Sequence, residues 1–253
     1  MTSLYDNIIF GPVRSRRLGI SLGVNLLPIE SKLCSFDCIY CECGWNADHP
    51  GKRRFNARED VYKMLDETLG KMVKEGTPPD VITFAGNGEP TMHPDFEAII
   101  EDTRALHDKH CPNAKVSVLS NATQIHREDV RRALKRVDNN ILKLDSAFDA
   151  TVQLMNKPQG NYTVARTVEL LKMFEGDFIM QTMFLRFPGF STAEPENLKA
   201  WMDIVRETKP REVMVYTLDR EAPAQGLEQF TVDEMREAVK PLVDEGFTVQ
   251  IKG

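Results

Sequence analysis

The sequence has no long apolar run; nothing in it approaches the ~18 consecutive residues a membrane-spanning helix requires. Linkers rich in Gly, Ser or Pro and low-complexity tracts are missing too. With 15 Gly and 14 Pro in 253 residues, collagen-like and globally disordered chains are excluded. An excess of basic charge is absent. The 32 Lys and Arg against 38 Asp and Glu leave a net charge of −6. The isoelectric point near 5.5 disfavours a dedicated nucleic-acid binder. The N-terminus lacks the basic start and apolar core of a secretory signal, since Asp6 precedes only a short apolar patch at 8–10. Cysteine is scarce and unevenly placed. There are five, an odd number, and four lie between Cys34 and Cys43. A disulfide framework would spread its half-cystines along the chain. These absences leave a cytoplasmic chain, without a membrane segment, long enough for one large α/β domain or two small ones.

Apolar, β-branched runs alternate with amphipathic stretches. Strands are expected over 20–27, 80–85, 115–120, 140–145, 178–185 and 213–218, with a short last one over 247–251. Most are continuously apolar, as suits a parallel sheet covered on its outer face. Helices are expected over 59–75, 95–107, 127–137, 163–174 and 195–208. A further helix opens at Thr231, whose spacing to Glu234 is that of a capping box. The order predicts an α/β fold: a partial six-stranded parallel (β/α)6 barrel with a short N-terminal extension and a C-terminal strand. Residues 1–19 are read as a segment packing on the barrel and 20–253 as the single domain. Two stretches, 1–18 and 30–58, carry no periodicity and are expected to be irregular. Two Asn-x-Thr triplets, at Asn121 and Asn161, are read as chance matches to glycosylation acceptors.

Cys34, Cys38 and Cys41 are spaced CxxxCxxC in the loop after the first strand. Three thiolates so close can wrap one corner of a metal or cluster and leave one coordination position free. Two plainer readings stand beside this. Zinc could take Cys34, Cys38, Cys41 and Cys43, although structural zinc sites usually draw ligands from two separate hairpins. The thiols could also be simply buried.

Polar residues gather where the expected strands end. The second strand runs into Gly86-Asn87-Gly88-Glu89-Pro90, the third ends Ser120-Asn121 and the fourth Lys143-Leu144-Asp145-Ser146. The fifth carries Gln181-Thr182 through Arg186, and the sixth Tyr216-Thr217 with Asp219-Arg220. Any one could be a helix cap or a satisfied core polar group. In β/α barrels, however, the C-terminal strand edge is where active sites are built.

With its cysteine spacing and Tyr40 before the last cysteine, the sequence resembles the radical S-adenosylmethionine (SAM) superfamily. The segments 10–13, 15–19, 21–28, 88–94 and 216–220 resemble a bacterial and archaeal branch of it, related to the wybutosine-type enzymes that modify a tRNA guanosine. The resemblance implies a 4Fe–4S cluster on Cys34, Cys38 and Cys41, whose remaining iron binds SAM. It implies SAM contacts from Gly88 and Glu89 (the amine), Ser120 and Asn121 (the ribose) and Tyr40 (near the adenine), with Asp145 and Gln181 as further cofactor contacts. Asn87 stands where the family's Gly-Gly-Glu element has a glycine. The implied activity is reductive cleavage of SAM to a 5′-deoxyadenosyl radical that abstracts hydrogen from a small-molecule or nucleotide-like substrate. The electron would come from a flavodoxin or ferredoxin.

Only Cys43 and Cys111 are left over, too few for a second cluster with three protein ligands. A single-cluster enzyme is therefore expected, with Cys43 a spare thiol. Arg14, Arg16 and Arg17, joined by Lys52, Arg53 and Arg54, read as ion-pairing charges or as an anion site. Arg17, Arg186, Tyr216 and Arg220 are the candidate substrate residues, and no catalytic residue is identifiable. A glycyl-radical activase, a tRNA-modifying enzyme and a zinc-stabilised binding module are the competing functions.

Overall fold

A computed structural model describes residues 4–15, 19–51, 54–220 and 222–253. Arg16, Arg17, Lys52 and Arg53 lie outside the described residues.

One sheet organises the chain. Its strands are β1 (Ile9–Ser15), β2 (Gly19–Val24), β3 (Val81–Phe84), β4 (Lys115–Ser120), β5 (Asn139–Lys143), β6 (Ile179–Met183), β9 (Glu212–Tyr216) and β11 (Val249–Lys252), neighbours in that order. From β2 to β11 every pairing is parallel. The crossovers are α1 (Arg58–Lys74), α2 (Phe96–His110), α3 (Glu128–Leu134), α4 (Asp149–Met155) with α5 (Val164–Lys172), α6 (Pro195–Thr208) and α7 (Val232–Asp244). This is the mostly parallel α/β architecture that the alternation of apolar runs predicts.

Each helix buries one stripe. In α1 it is Val61, Leu65, Leu69 and Met72, at the spacing of one helical face. These side chains and their counterparts on the other helices meet the outward-facing sheet residues, such as Ile82, Phe84, Val116, Val118 and Leu142, in one large core. The Thr231–Glu234 capping box is formed at the start of α7.

Two departures from expectation have physical causes. The N-terminal stretch is not irregular: β1 pairs antiparallel with β2, with a bulge between Phe10 and Val13. Gly11 and Pro12 break the apolar alternation there, and a proline is tolerated because β1 is an edge strand. The expected fifth strand stops at Met183. The chain then turns away into β7 (Leu185–Phe187), which pairs with β8 (Phe190–Ser191) and β10 (Glu228–Gln229) in a separate small sheet.

The inward face of the main sheet changes character along the strands. Ile141, Ile179 and Met214, with Leu119 beside them, form an apolar floor. Two residues further on, and so on the same face, come Lys143, Gln181 and Tyr216. Within one step the lining turns from hydrocarbon to polar.

Candidate active site at the C-terminal edge of the sheet

The loop from Leu33 to Gly44 lies across this edge and is fixed at several points. Leu33 N–H donates to the Asn87 carbonyl and Glu89 N–H to the Leu33 carbonyl, a short bridge that runs on from the end of β3. Asp37 N–H donates to the Asn156 carbonyl and Ile39 N–H to that of Met155, just past and at the end of α4. Phe36, Ile39 and Tyr40 pack with Met155, Met183, Leu185 and Leu218 in an apolar cluster of their own. The cysteines are thus carried by an irregular segment whose backbone is held by ordered elements.

All five cysteines are free thiols. Cys34 and Cys41 are partly exposed and Cys38 and Cys43 buried. Three N–H groups point at two of these sulfurs: Phe36 N at 3.4 Å and Asn121 Nδ2 at 3.6 Å from Cys34 Sγ, and Asn156 Nδ2 at 3.4 Å from Cys38 Sγ. Desolvation, with the Glu89 charge behind it, holds the Cys34 thiol above its ordinary value, and burial pushes Cys38 up to about 11. Cys41 is pulled the other way, by the neighbouring Cys43 thiol first and the Lys32 ammonium after it. Among the described residues, no three Cys, His, Asp or Glu side chains close on one point as ligands of a single ion do. Three thiols spread along one loop, with N–H groups directed at the sulfurs of Cys34 and Cys38, fit the larger body of an iron–sulfur cluster.

Glu89 is buried and ties β3 to β4. Its carboxylate accepts from Thr91 N at 3.1 Å, from Ser120 Oγ at 2.9 Å and from Asn121 N at 2.6 Å. Burial raises its pKa against those bonds. Asp145, also buried, accepts from Met183 N at 2.9 Å, from Asn156 Nδ2 at 2.7 Å and from the Tyr40 hydroxyl. Asn87, where the resemblance expects glycine, is a staple. Its side chain exchanges two bonds of 2.8 Å with the Tyr5 backbone and donates to the Pro28 carbonyl at 2.8 Å.

A cavity of about 680 Å³ opens beside the loop, lined by Tyr40, Cys41 and Gly86 on the loop side and by Lys143, Gln181 and Tyr216 on the sheet side. The Lys143 ammonium donates to the Tyr40 hydroxyl at 3.0 Å and to the Tyr216 hydroxyl at 2.9 Å. It also lies 5.1 and 5.4 Å from the two ring centroids. Burial works against its charge, but Asp145, Tyr216 and Cys38 outweigh it and its pKa is raised. Tyr5, Glu42, Cys43 and Arg220 complete the rim, where Arg220 and Glu42 pair at 2.9 Å.

Of the residues singled out in the sequence, Cys41, Tyr40, Gln181, Tyr216 and Arg220 line this cavity. Glu89, Ser120, Asn121 and Asp145 lie behind it, with their polar groups engaged by protein partners. Arg186 does not line it. Its guanidinium stacks 3.7 Å from the Phe230 ring centroid and pairs with Glu234 at 2.7 Å. Of the basic run, Arg14 and Arg54 are exposed. Sequence reading did not single out Lys32, Asn156 or Tyr5. Lys143 it named only as part of a strand end, although the two-residue step from Ile141 marks it as inward-facing.

The family model for the radical SAM superfamily matches residues 31–215. A UPF0026 protein from Methanocaldococcus jannaschii is 32% identical over 215 residues, 83% of this chain and 63% of its own length. The chain therefore spans less than two thirds of that relative. A radical SAM methyltransferase from Sphaerobacter thermophilus superposes with a TM-score of 0.67 at 14% identity, covering 91% of this chain and 65% of its own. Archaeal TYW1 superposes with a TM-score of 0.55 at 12% identity, covering 90% and 72%. With the matched region starting just before the three cysteines and ending at the last strand of the polar layer, this chain belongs to the radical SAM superfamily, enzymes that work with a 4Fe–4S cluster and SAM.

Proposed function

We propose that this protein is a single-cluster radical SAM enzyme acting on a small-molecule or nucleotide-like substrate. Cys34, Cys38 and Cys41 hold the cluster. The observation that carries this reading is the cavity of about 680 Å³, with Cys41 in one wall and the polar layer of Lys143, Gln181 and Tyr216 in the other. That volume falls within the range of small-ligand sites. When bound, the cluster and SAM supply a 5′-deoxyadenosyl radical, which takes a hydrogen atom from the substrate.

The chain's residues bind, orient and shield. Gly86 borders the cavity, and the carbonyl edge from Gly86 to Gly88 receives the SAM ammonium, with Glu89 locking that edge to β4 from behind. Ser120 and Asn121 back the ribose side from behind the cavity wall, and Tyr40 serves the adenine. Asp145 holds Tyr40 in place, and Gln181 contacts the cofactor from the sheet. Tyr216 and Arg220 face the substrate from the rim. Cys43, whose thiol donates to the Gly86 carbonyl at 3.4 Å, buttresses the edge and is not a ligand. A flavodoxin or ferredoxin delivers the electron.

The test is an anaerobic incubation of the reconstituted protein with SAM and a reductant. Formation of 5′-deoxyadenosine is expected, with deuterium transferred into it from the labelled substrate. A protein that carries a cluster yet leaves SAM intact would overturn the reading. Steep, salt-dependent tRNA binding would move the substrate from small molecule to RNA.

A further inference from the structure

Lys32 is sealed against the cysteine loop. Its side chain is 1% exposed and lies two residues before Cys34. A buried ammonium costs several kcal/mol unless it is paired and hydrogen-bonded. Lys32 has a counter-ion in Asp37, at 3.1 Å, and donates to the Gly44 carbonyl at 2.6 Å. The pair is lopsided. Asp37 is 22% exposed and also accepts from Asn46 N at 2.8 Å, so water and a backbone N–H share its charge. The ammonium has no such outlet: it is enclosed by the loop that carries the cysteines, bonded to it at Asp37 and at Gly44, whose own N–H donates to the Cys41 carbonyl. A pair turned this way presents its positive end to the cysteines, where little solvent screens it.

We propose that Lys32 is a positioning residue for electron transfer: its buried charge raises the reduction potential of the cluster held by Cys34, Cys38 and Cys41. This rests on the cluster reading above. One-electron reduction adds a negative charge to the cluster and its thiolates, and a fixed cation beside them stabilises the reduced form more than the oxidised form. Net charge and hydrogen bonding around the sulfurs are established determinants of cluster potential. Asp37 works against Lys32, so the two residues make opposite predictions.

The test is an anaerobic redox titration of the reconstituted wild type, Lys32→Met and Asp37→Asn, following the spectroscopic signal of the reduced cluster and the iron content. At the potential where the wild type is half reduced, Lys32→Met is expected to show a roughly tenfold lower ratio of reduced to oxidised cluster. That ratio corresponds to a midpoint about 59 mV more negative for a one-electron couple. Asp37→Asn is expected to shift the midpoint upward. Equal midpoints in all three proteins would overturn the proposal. If Lys32→Met does not hold a cluster, Asp37→Asn decides alone: an upward shift supports the proposal, and no shift or a downward one overturns it. A wild type that binds no cluster would fail differently, overturning the cluster reading itself.

Discussion

Leu33 and Gly88 approach so closely that a β-carbon on Gly88 would sit 1.8 Å from the Leu33 carbonyl oxygen. Gly88 also has φ +143°, outside the range L-residues favour. The close approach this glycine permits is therefore made to the cysteine loop, which it docks onto the end of β3. Gly88→Ala is expected to lift the loop from the sheet at a cost of about 3 kcal/mol, from strain and from the lost bridge. For a chain of this size that corresponds to a Tm roughly 6–12 °C lower. Iron uptake should fall with it. An unchanged Tm measured on the metal-free protein would show that the contact is dispensable.

The ligand assignment is tested one thiol at a time. Cys34→Ala, Cys38→Ala and Cys41→Ala are each expected to abolish cluster retention and 5′-deoxyadenosine formation. Cys43→Ala and Cys111→Ala should keep both, since Cys43 is engaged with the Gly86 carbonyl and Cys111 is buried in the main core. Iron counting after anaerobic reconstitution separates the two groups. A Cys43→Ala protein without iron would show that Cys43 belongs among the ligands.

Asp145 joins three elements: β6 through Met183 N, the end of α4 through Asn156, and the cysteine loop through Tyr40. Its carboxylate is fully buried, with the Lys143 ammonium 3.8 Å away. Asp145→Ala would remove the acceptor of Met183 N and of the Tyr40 hydroxyl and leave the Lys143 ammonium without its counter-charge, a loss on the order of 3–5 kcal/mol. Asn156→Ala should cost less, about 1–2 kcal/mol, because Asp145 keeps its other partners. The two losses should be strongly non-additive in a double-mutant cycle, as expected for residues of one network. Additive losses in urea denaturation would mean the network is not cooperative.

Glu89 gives a pH signature with a definite sign. Burial raises its folded-state pKa above 4.5, its ordinary value. The folded protein then binds this proton more tightly than the unfolded chain does. Its contribution is complete below 4.5 and is lost as pH rises through the higher folded value. Glu89→Gln cannot titrate. Its stability should therefore fall less than that of the wild type between pH 4.5 and neutrality, whatever constant penalty the amide brings. Parallel pH–stability curves for the two proteins would refute the assignment.

What could be read from the sequence is what repeats or clusters. Five polar strand ends and a CxxxCxxC spacing are periodic or local signals, and both lead to the edge where the cavity lies. The parts that escaped are single residues whose meaning is tertiary. Asn156 caps a helix of seven residues, too short for its periodicity to stand out. Lys32 is one lysine between a proline-containing turn and the first cysteine, and nothing local says that Asp37 and Gly44 fold around it. β1 escaped because Gly11 and Pro12 interrupt its alternation, and only its place at the edge of the sheet makes them tolerable. The sequence marks Glu89 and Ser120 as strand-end residues, but their bond to each other depends on β3 and β4 being neighbours.

Asn87 carries the last prediction. Its side-chain amide is wholly buried and holds the N-terminal segment at Tyr5, whose ring stacks 3.8 Å from that of Phe10 and lines the cavity. Asn87→Gly restores the family's usual residue but removes all three side-chain bonds, at about 1 kcal/mol each. If Asn87 replaces a ligand-facing glycine with a staple, the variant should release residues 4–8 while β2 and the rest of the sheet stay folded. Amide exchange at Tyr5 should then rise by at least tenfold, because the local opening free energy drops by more than 1.4 kcal/mol. The Tm should fall only slightly, since the segment lies at the edge of the fold. Unchanged exchange at Tyr5 would mean that stacking on Phe10 and the β1–β2 pairing suffice to hold the cavity wall, and that the asparagine serves another purpose.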